Sequence, residues 1–284
     1  MRLVWSQTVA GSLRGLSAAR ERGWFLVWDS HHVLNLFNHN GQREAQAQPP
    51  VSVVAAAAGD DGRSFVVLGG QGQVYLLAPD LTPRWQRAIE GTPMAAALDS
   101  FGQRIALADA DGGVHLFDET GRLLWKAESP RPLHFLSFVP EKPALVGCAD
   151  FGLVVCFDAW GRCLWRDGLV AHVGSLTVSG NGETIALACF SEGACCYHLA
   201  EGPKTRRMVA AVAPCRLLAC SYEGDVWLTV GLEPRLTVRN AGGAVRAEAA
   251  VEGRPVAVAL APLGRWAAVA TAEGALLAFD LAGP

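Results

Sequence analysis

Short apolar runs alternate along the whole chain with polar turns rich in Gly, Asp and Pro. Within one stretch of the chain four such runs follow one another, at 94–98, 104–108, 114–118 and 123–127. Runs of roughly five residues bounded by turn residues are typical of β-strands that form successive hairpins. The pattern therefore predicts an all-β protein built from four-stranded antiparallel units.

A large apolar anchor recurs at every fortieth or forty-first position. The seven anchors are Phe37, Leu77, Phe117, Phe157, Tyr197, Val238 and Phe279. The amino-acid sequence around two of these anchors is also similar: residues 114–125 are VHLFDETGRLLW and residues 154–165 are VVCFDAWGRCLW. A period of about 40–45 residues made of short strands is typical of a β-propeller with one four-stranded blade per repeat. We therefore predict a seven-bladed β-propeller that occupies residues 1–284 as a single domain.

A glycine is placed in the first turn of six repeats, where a positive φ angle is cheap for glycine alone. These glycines are Gly23, Gly62, Gly102, Gly182, Gly224 and Gly264. The fourth repeat departs from this rule and carries Pro-Glu-Lys-Pro at 140–143. We interpret it as an altered loop in an intact blade.

The two ends of the chain together predict how the ring closes. The last repeat stops after its third strand, at about Asp280, and no outer strand follows it. The first residues, Arg2-Leu3-Val4-Trp5, resemble the sequence of a predicted outer strand, Arg122-Leu123-Leu124-Trp125. We therefore expect residues 1–9 to form the outer strand of blade 7, with residues 10–284 supplying the remaining strands. In such a closure the two terminal strands pair with each other, so neither leaves the backbone N–H and C=O groups of an unpaired sheet edge.

The sequence motif Phe-Asp-x-x-Gly-Arg-x-Leu-Trp, found at 117–125 and 157–165, resembles the repeats of the WD-repeat-like and quinoprotein-like propeller families. The Gly-His and terminal Trp-Asp pairs of WD repeats are absent, and the single Trp28-Asp29 falls in a second strand. Four outer-strand tryptophans are closer to the quinoprotein type: Trp5, Trp85, Trp125 and Trp165. The resemblance to WD-like propellers implies a rigid platform for other proteins.

Charge and cysteine content narrow the functional classes. The chain has 24 basic and 27 acidic residues, a net charge of −3 and no block of either sign. It lacks the basic stripe that nucleic-acid binding needs, so we expect no nucleic-acid partner. No apolar run approaches the roughly 18 residues of a membrane span. Eight cysteines without the apolar stretch of a signal peptide predict reduced thiols and a cytoplasmic protein.

Metal and cofactor sites are not predicted. The seven histidines lack ligand spacing to one another or to cysteine. Cys195-Cys196 could form a vicinal disulfide, as some quinone enzymes use, or could pack as two separate thiols. Neighbours in a strand face opposite sides, which favours packing.

The innermost strands offer only three titratable groups in the predicted channel: Asp99, His134 and Arg216. They come from three different blades and supply no nucleophile paired with a base. We therefore expect a protein without enzymatic activity. The alternative is an enzyme or small-molecule binder whose site lies at the channel mouth around these three residues.

The loops remain as the candidate functional surface. Loops leading into the inner strands and loops between second and third strands share one face of a propeller. On this face we predict partner binding through Phe151, Arg131, His134, Arg254 and His172, because aromatic and arginine side chains anchor interfaces. Trp160 and Phe101 form the alternative on the opposite face. The expected function is a cytoplasmic, non-enzymatic platform or scaffold subunit that binds other proteins.

Overall fold

The computed structural model describes residues 1–169 and 171–281. Within these residues, 28 strands form seven four-stranded antiparallel sheets arranged as blades around one axis. The predicted seven-bladed β-propeller is confirmed, and blade 4 is complete in spite of its altered loop. A short 3₁₀ turn, Ala210–Val212, follows the outer strand of blade 5.

Within each blade the four strands follow one another from the axis outwards. Blade 1 consists of β2 Leu13–Ala19, β3 Trp24–Asp29, β4 Leu34–Phe37 and β5 Arg43–Ala47, and blade 2 of β6 Val53–Ala58, β7 Phe65–Gly69, β8 Gln73–Leu77 and β9 Pro83–Ala88. Blade 3 consists of β10 Pro93–Leu98, β11 Arg104–Asp109, β12 Gly113–Asp118 and β13 Leu123–Glu128, and blade 4 of β14 Phe135–Phe138, β15 Ala144–Cys148, β16 Val154–Asp158 and β17 Cys163–Asp167. Blade 5 consists of β18 Val173–Val178, β19 Thr184–Cys189, β20 Gly193–His198 and β21 Gly202–Val209, and blade 6 of β22 Leu217–Cys220, β23 Val226–Val230, β24 Arg235–Asn240 and β25 Val245–Ala250. Blade 7 consists of β26 Pro255–Leu260, β27 Trp266–Thr271, β28 Ala275–Asp280 and β1 Arg2–Thr8.

The core lies between the blades. The buried apolar residues form seven clusters in the described chain, one at each blade interface. Adjacent strand residues serve different clusters, because successive side chains face opposite sides of a sheet. In β12, for example, Leu116 packs towards blade 4 and Phe117 packs towards blade 2. All seven anchors of the forty-residue period are buried, so the period marks the positions that join neighbouring blades.

The predicted first-turn glycines all adopt a positive φ, for example 66° at Gly102. In blade 4 the register places Lys142 at this position, and the positive φ lies one residue earlier, at Glu141, with a value of 62°. The altered loop nevertheless keeps the same length, and its Lys142 N–H donates to Val139 as the Gly102 N–H donates to Asp99. The Pro-Glu-Lys-Pro segment therefore does not interrupt the blade.

The ring closes as the sequence predicts. Strand β1 pairs antiparallel with β28, from Arg2 opposite Asp280 to Thr8 opposite Ala275. The order β1-β28-β27-β26 makes the N-terminal strand the outer strand of blade 7. Both ends of the described chain are therefore hydrogen-bonded into one sheet.

Outer-strand tryptophans connect each of four blades to the next one. The indole N–H of Trp125 donates to the carbonyl of Ala159 at 2.9 Å, and three other tryptophans repeat this bond 34 residues ahead. The facing turn carries a glycine with positive φ, such as Gly161, where an added Cβ would lie 2.8 Å from the Trp125 ring. Between blades 5 and 6 the guanidinium of Arg207 takes over the bond and donates to Ala241.

One interface reverses this arrangement. Blade 1 has Ala45 where blades 2, 3, 4 and 7 have tryptophan, since Ala45 pairs with Leu36 as Trp125 pairs with Leu116. The facing turn of blade 2 has Leu81 in place of glycine, with a φ of 63° and 3% exposure. Both residues belong to the same apolar cluster. A large residue on the turn thus compensates for a small one on the strand.

Candidate functional site

The turn between β16 and β17 presents Trp160 to solvent with 71% of its surface exposed. The Oδ1 atom of Asp158 accepts the amide hydrogens of Trp160 and Arg162, both at 2.9 Å. The Oδ2 atom accepts the Arg162 Nε–H at 2.7 Å, and the Arg162 Cζ atom lies 5.2 Å from the centroid of the indole ring. Trp160 is therefore held in a fixed turn and supported on one face by a guanidinium.

The corresponding turn of blade 3 shows that this geometry does not require tryptophan. There the Oδ1 atom of Asp118 accepts the amides of Thr120 and Arg122, each at 3.0 Å. Arg122 Nε donates to Asp118 Oδ2 at 3.0 Å, as its counterpart does in blade 4. Thr120 occupies the place of Trp160, so the indole contributes nothing that the turn needs.

A cleft of about 230 Å³ opens beside Trp160, between blades 3 and 4. Its apolar wall includes Phe101, Trp125, Phe138, Pro140 and Pro143. Phe101 is 64% exposed, so it forms one rim. The turn that carries Trp160 contributes its neighbouring residue to the other rim. One of the two predicted exposed aromatic residues, Phe101, therefore lines the cleft, and the other, Trp160, lies on the adjoining turn beside the lining residue Ala159.

Charged groups are spread over the rim of this cleft and include Asp99, Arg104 and Lys142. Burial raises the pKa of Asp99, although its Oδ1 atom accepts the amide hydrogens of Gln103 at 2.7 Å and Arg104 at 3.1 Å. The rim thus offers hydrogen-bonding groups of both signs around an apolar centre. This combination suits a polypeptide ligand.

We expect acid to loosen the two aspartate turns. The Thr120 hydroxyl is the main cause that lowers the pKa of Asp118 to about 2. Burial raises the pKa of Asp158, but hydrogen bonds from Arg162 and Trp160 outweigh it and leave that pKa below its ordinary value. A lowered pKa stabilises the fold above the unfolded value of about 3.9, and this stability is lost as the pH falls towards the folded value. The melting temperature is therefore expected to fall between about pH 4 and pH 2.

The matched variant for this prediction is D118N/D158N, because blades 1 and 6 already use Asn38 and Asn240 in the same turn. Thermal unfolding followed by circular dichroism at several pH values should show a smaller acid-induced decrease for the variant than for the wild type. Equal decreases would mean that these two carboxylates do not titrate with unfolding.

On the opposite face, four of the five predicted partner-binding residues gather around the loop between β15 and β16. The Phe151 ring is half-buried, 4.9 Å from the His172 ring. The Asp150 amide donates to His134 Nδ1 at 3.3 Å, and the Arg131 guanidinium lies against Gly152. Phe151 thus contacts the loop that leads into blade 5 and presents only part of its ring to solvent.

Arg254 lies apart from these four residues, at the start of β26, where its amide donates to Glu273 Oε2 at 2.7 Å. Asp99 is also separated from the group with which the alternative hypothesis placed it. It follows the inner strand β10, whereas His134 and Arg216 precede β14 and β22. Inner strands run in one direction, so Asp99 lies at the other end of the channel. The expectation of one site formed by all three residues is wrong.

Two charged groups at the channel were not identified from the sequence. The sequence pattern predicts 16–18 as the inner strand of blade 1, whereas strand β2 begins three residues earlier, at Leu13, and this places Arg14 at the channel. At the other end Arg20 makes two 2.9 Å bonds to the carboxylate of Asp60. A strand pattern alone does not show such a bond, because the partners are 40 residues apart.

The cysteines pack as the strand alternation predicts. Cys195 belongs to the cluster between blades 4 and 5, and Cys196 to the cluster between blades 5 and 6. Both are free thiols. Among the described residues, no group of three His, Cys, Asp or Glu side chains could hold a metal ion. Over the same residues, no helix has the length and apolar character needed to cross a membrane.

Sequence comparison places this propeller in a class. The ring of four-stranded blades and the connecting tryptophans define a quinoprotein-like seven-bladed β-propeller. A family model described as outer membrane protein assembly factor BamB matches residues 2–149, slightly more than half of the chain. The chain belongs to this family. No curated protein matches it.

Proposed function

We propose that this protein is a non-enzymatic platform that binds a segment of another protein in the cleft between blades 3 and 4. The observation that carries the proposal is Trp160, an exposed indole fixed by Asp158 and Arg162 in a turn that does not require it. Exposed tryptophans on rigid supports are frequent energetic anchors of protein interfaces. Phe101 on the facing rim supplies a second anchor.

The shape and chemistry of the cleft favour a short polypeptide segment as the ligand. Its apolar wall accommodates one large apolar side chain, and its rim offers Asp99, Arg104 and Lys142 to the polar groups beside that side chain. Apolar centres with polar rims are the usual anatomy of protein interfaces. The family description names an assembly factor, which agrees with a role in contacting other proteins.

The test uses two substitutions copied from other blades. W160T introduces the residue that blade 3 has at this turn position, and F101N introduces the residue that blade 5 has at Asn181 before its first-turn glycine. Exposed substitutions of this kind usually change stability by only about 0.5 kcal/mol. Peptides selected on the wild-type protein should bind the double variant roughly 30-fold more weakly or worse, since interface anchors contribute about 2 kcal/mol or more.

The opposite face supplies the matched controls, F151A and R131A. Both variants should retain the selected peptides and the proteins captured from native cell extract, while W160T/F101N loses them. If W160T/F101N keeps every partner, the proposed cleft is wrong. If only F151A and R131A lose their partners, the interface lies on the opposite face of the propeller.

We propose the cytoplasm as the compartment in which this platform works. The support is the state of the cysteines: all eight are free thiols, and seven of them are buried. Unpaired cysteines are usual where the cell keeps thiols reduced. Cell fractionation followed by immunodetection tests this, and recovery of the protein outside the cytoplasmic fraction would contradict it.

A further inference from the structure

One end of the central channel is surrounded by a ring of equivalent residues, one from the start of each inner strand. Five of the seven positions coincide with a break in the strand register. Besides a glycine, the ring contains three apolar side chains and three basic or titratable ones: Val54, Met94, Val256, Arg14, Arg216 and His134. It carries no acidic residue at any of its seven positions, so its charge is positive.

The two arginines of the ring have no partner. Within residues 1–169 and 171–281, neither the Arg14 nor the Arg216 guanidinium forms a hydrogen bond or an ion pair. The other end of the channel is different, because there Arg20 makes a bidentate contact with Asp60 at 2.9 Å. A guanidinium at a channel mouth without an internal counter-ion is available for an anion, and its fork of N–H groups matches a carboxylate.

Below the ring most of the side chains that line the channel are apolar, with Ser175 and Thr177 among the polar ones. This half has a volume of about 350 Å³, within the range of roughly 300–1,000 Å³ typical of small-molecule sites. Met94, Phe135, Leu217 and Val258 contribute to its wall, and no Asp or Glu is among the described residues that line it. Leu16, Leu136 and Leu176 border both this half and the other one. These three leucines mark the boundary at which the first half of the channel, called here the chamber, ends.

The far end of the channel is bridged from several blades. The Tyr222 hydroxyl donates to Glu141 Oε1 at 2.5 Å, across two blades of the ring. Ser100 Oγ donates to the Asp60 carboxylate that already holds Arg20. These bonds connect side chains of different blades across that end of the channel, whereas within the described part of the chain the two arginines at the first end form no such bonds.

We infer that the chamber binds a small amphiphile with an anionic carboxylate head, held by Arg14 and Arg216, and an apolar tail directed towards the leucine boundary. The arginines come from blades 1 and 6 and flank Val256 of blade 7. His134 lies on the side of blade 4, where the exposed Asp150 carboxylate is 3.8 Å from its Nδ1 atom. The head group is therefore assigned to the arginine side of the ring. This site is separate from the cleft at Trp160.

Isothermal titration of the full-length protein with butanoate, hexanoate and octanoate tests both parts of the inference. Affinity should rise by up to about fourfold per added methylene, because burial of each contributes about 0.8 kcal/mol. Octan-1-ol has the same tail without the charge and should bind at least about tenfold more weakly than octanoate, since hydrogen bonds to charged groups contribute about 1.5–3 kcal/mol. Acetate has the charge without the tail and should not bind measurably.

The variants R14Q and R216Q should each weaken octanoate binding by about tenfold or more. R166Q is the matched control, because Arg166 is an exposed arginine on the outer strand β17. Unchanged octanoate binding in both R14Q and R216Q would overturn the assignment, and so would equal binding of octanoate and octan-1-ol. Inorganic phosphate that competes fully with octanoate at equal concentration would show a simple anion site and would also contradict the role of the tail.

Discussion

Deletion of residues 1–9 is expected to prevent stable folding of the whole ring. The deletion removes all of β1, which pairs with β28 from Arg2 to Thr8 and completes blade 7. It also removes Trp5, whose indole N–H donates to His39 in blade 1 at 2.8 Å and whose ring packs edge-on against Phe25. Trp5 is only half-buried, so its loss costs less than the roughly 3–5 kcal/mol of a buried tryptophan. The deletion also removes the hydrogen bonds of an entire strand, and whole domains are stable by only about 5–15 kcal/mol.

The measurement is cooperative thermal unfolding, followed by calorimetry or by circular dichroism. The truncated chain should show no cooperative transition at physiological temperature, or one that is lowered by many degrees. L3S/V4S serves as the control, because both side chains are exposed on β1 and the strand itself stays in place. A truncated protein that keeps the wild-type melting temperature would refute the role of β1 in closing the ring.

The sequence predicts the blades well because a similar physical requirement recurs from blade to blade. Every anchor lies on the third strand of its blade and is buried. Six anchors pack towards the preceding blade, and Val238 packs towards the following one. A packing position of this kind tolerates only a large apolar residue, so it leaves a visible period in the sequence. The resemblance of 2–5 to 122–125 likewise reflects one shared environment, that of an outer strand beside a turn of the next blade.

The candidate sites are less visible in the sequence because they depend on contacts that do not repeat. Trp160 and Phe101 are recognisable in the sequence as unusual turn residues, but the cleft that Phe101 and Ala159 line is formed where blades 3 and 4 meet. Phe151 had the same appearance in the sequence, yet it packs on His172 from the neighbouring loop. Arg14 was missed because a register break, which no residue pattern marks, extends β2 by three residues to Leu13.

The reversed interface between blades 1 and 2 predicts a strong coupling between two substitutions. In A45W the new indole meets the buried Leu81 side chain, and overpacking typically costs about 1–3 kcal/mol. In L81G a buried side chain is lost, which costs about 2–5 kcal/mol when a cavity remains. The left-handed backbone at Leu81 favours glycine, so part of that cost is offset.

The double variant A45W/L81G should be more stable than either single variant and close to the wild type. It recreates the tryptophan–glycine pair that connects four other pairs of blades, with the Pro79 carbonyl placed 34 residues ahead to accept the indole N–H. Urea unfolding of the four proteins gives the interaction energy, which we expect to favour the pair by about 2 kcal/mol or more. Additive effects would mean that the residue on the strand and the residue on the turn do not share one space, so that Leu81 does not compensate for the missing tryptophan.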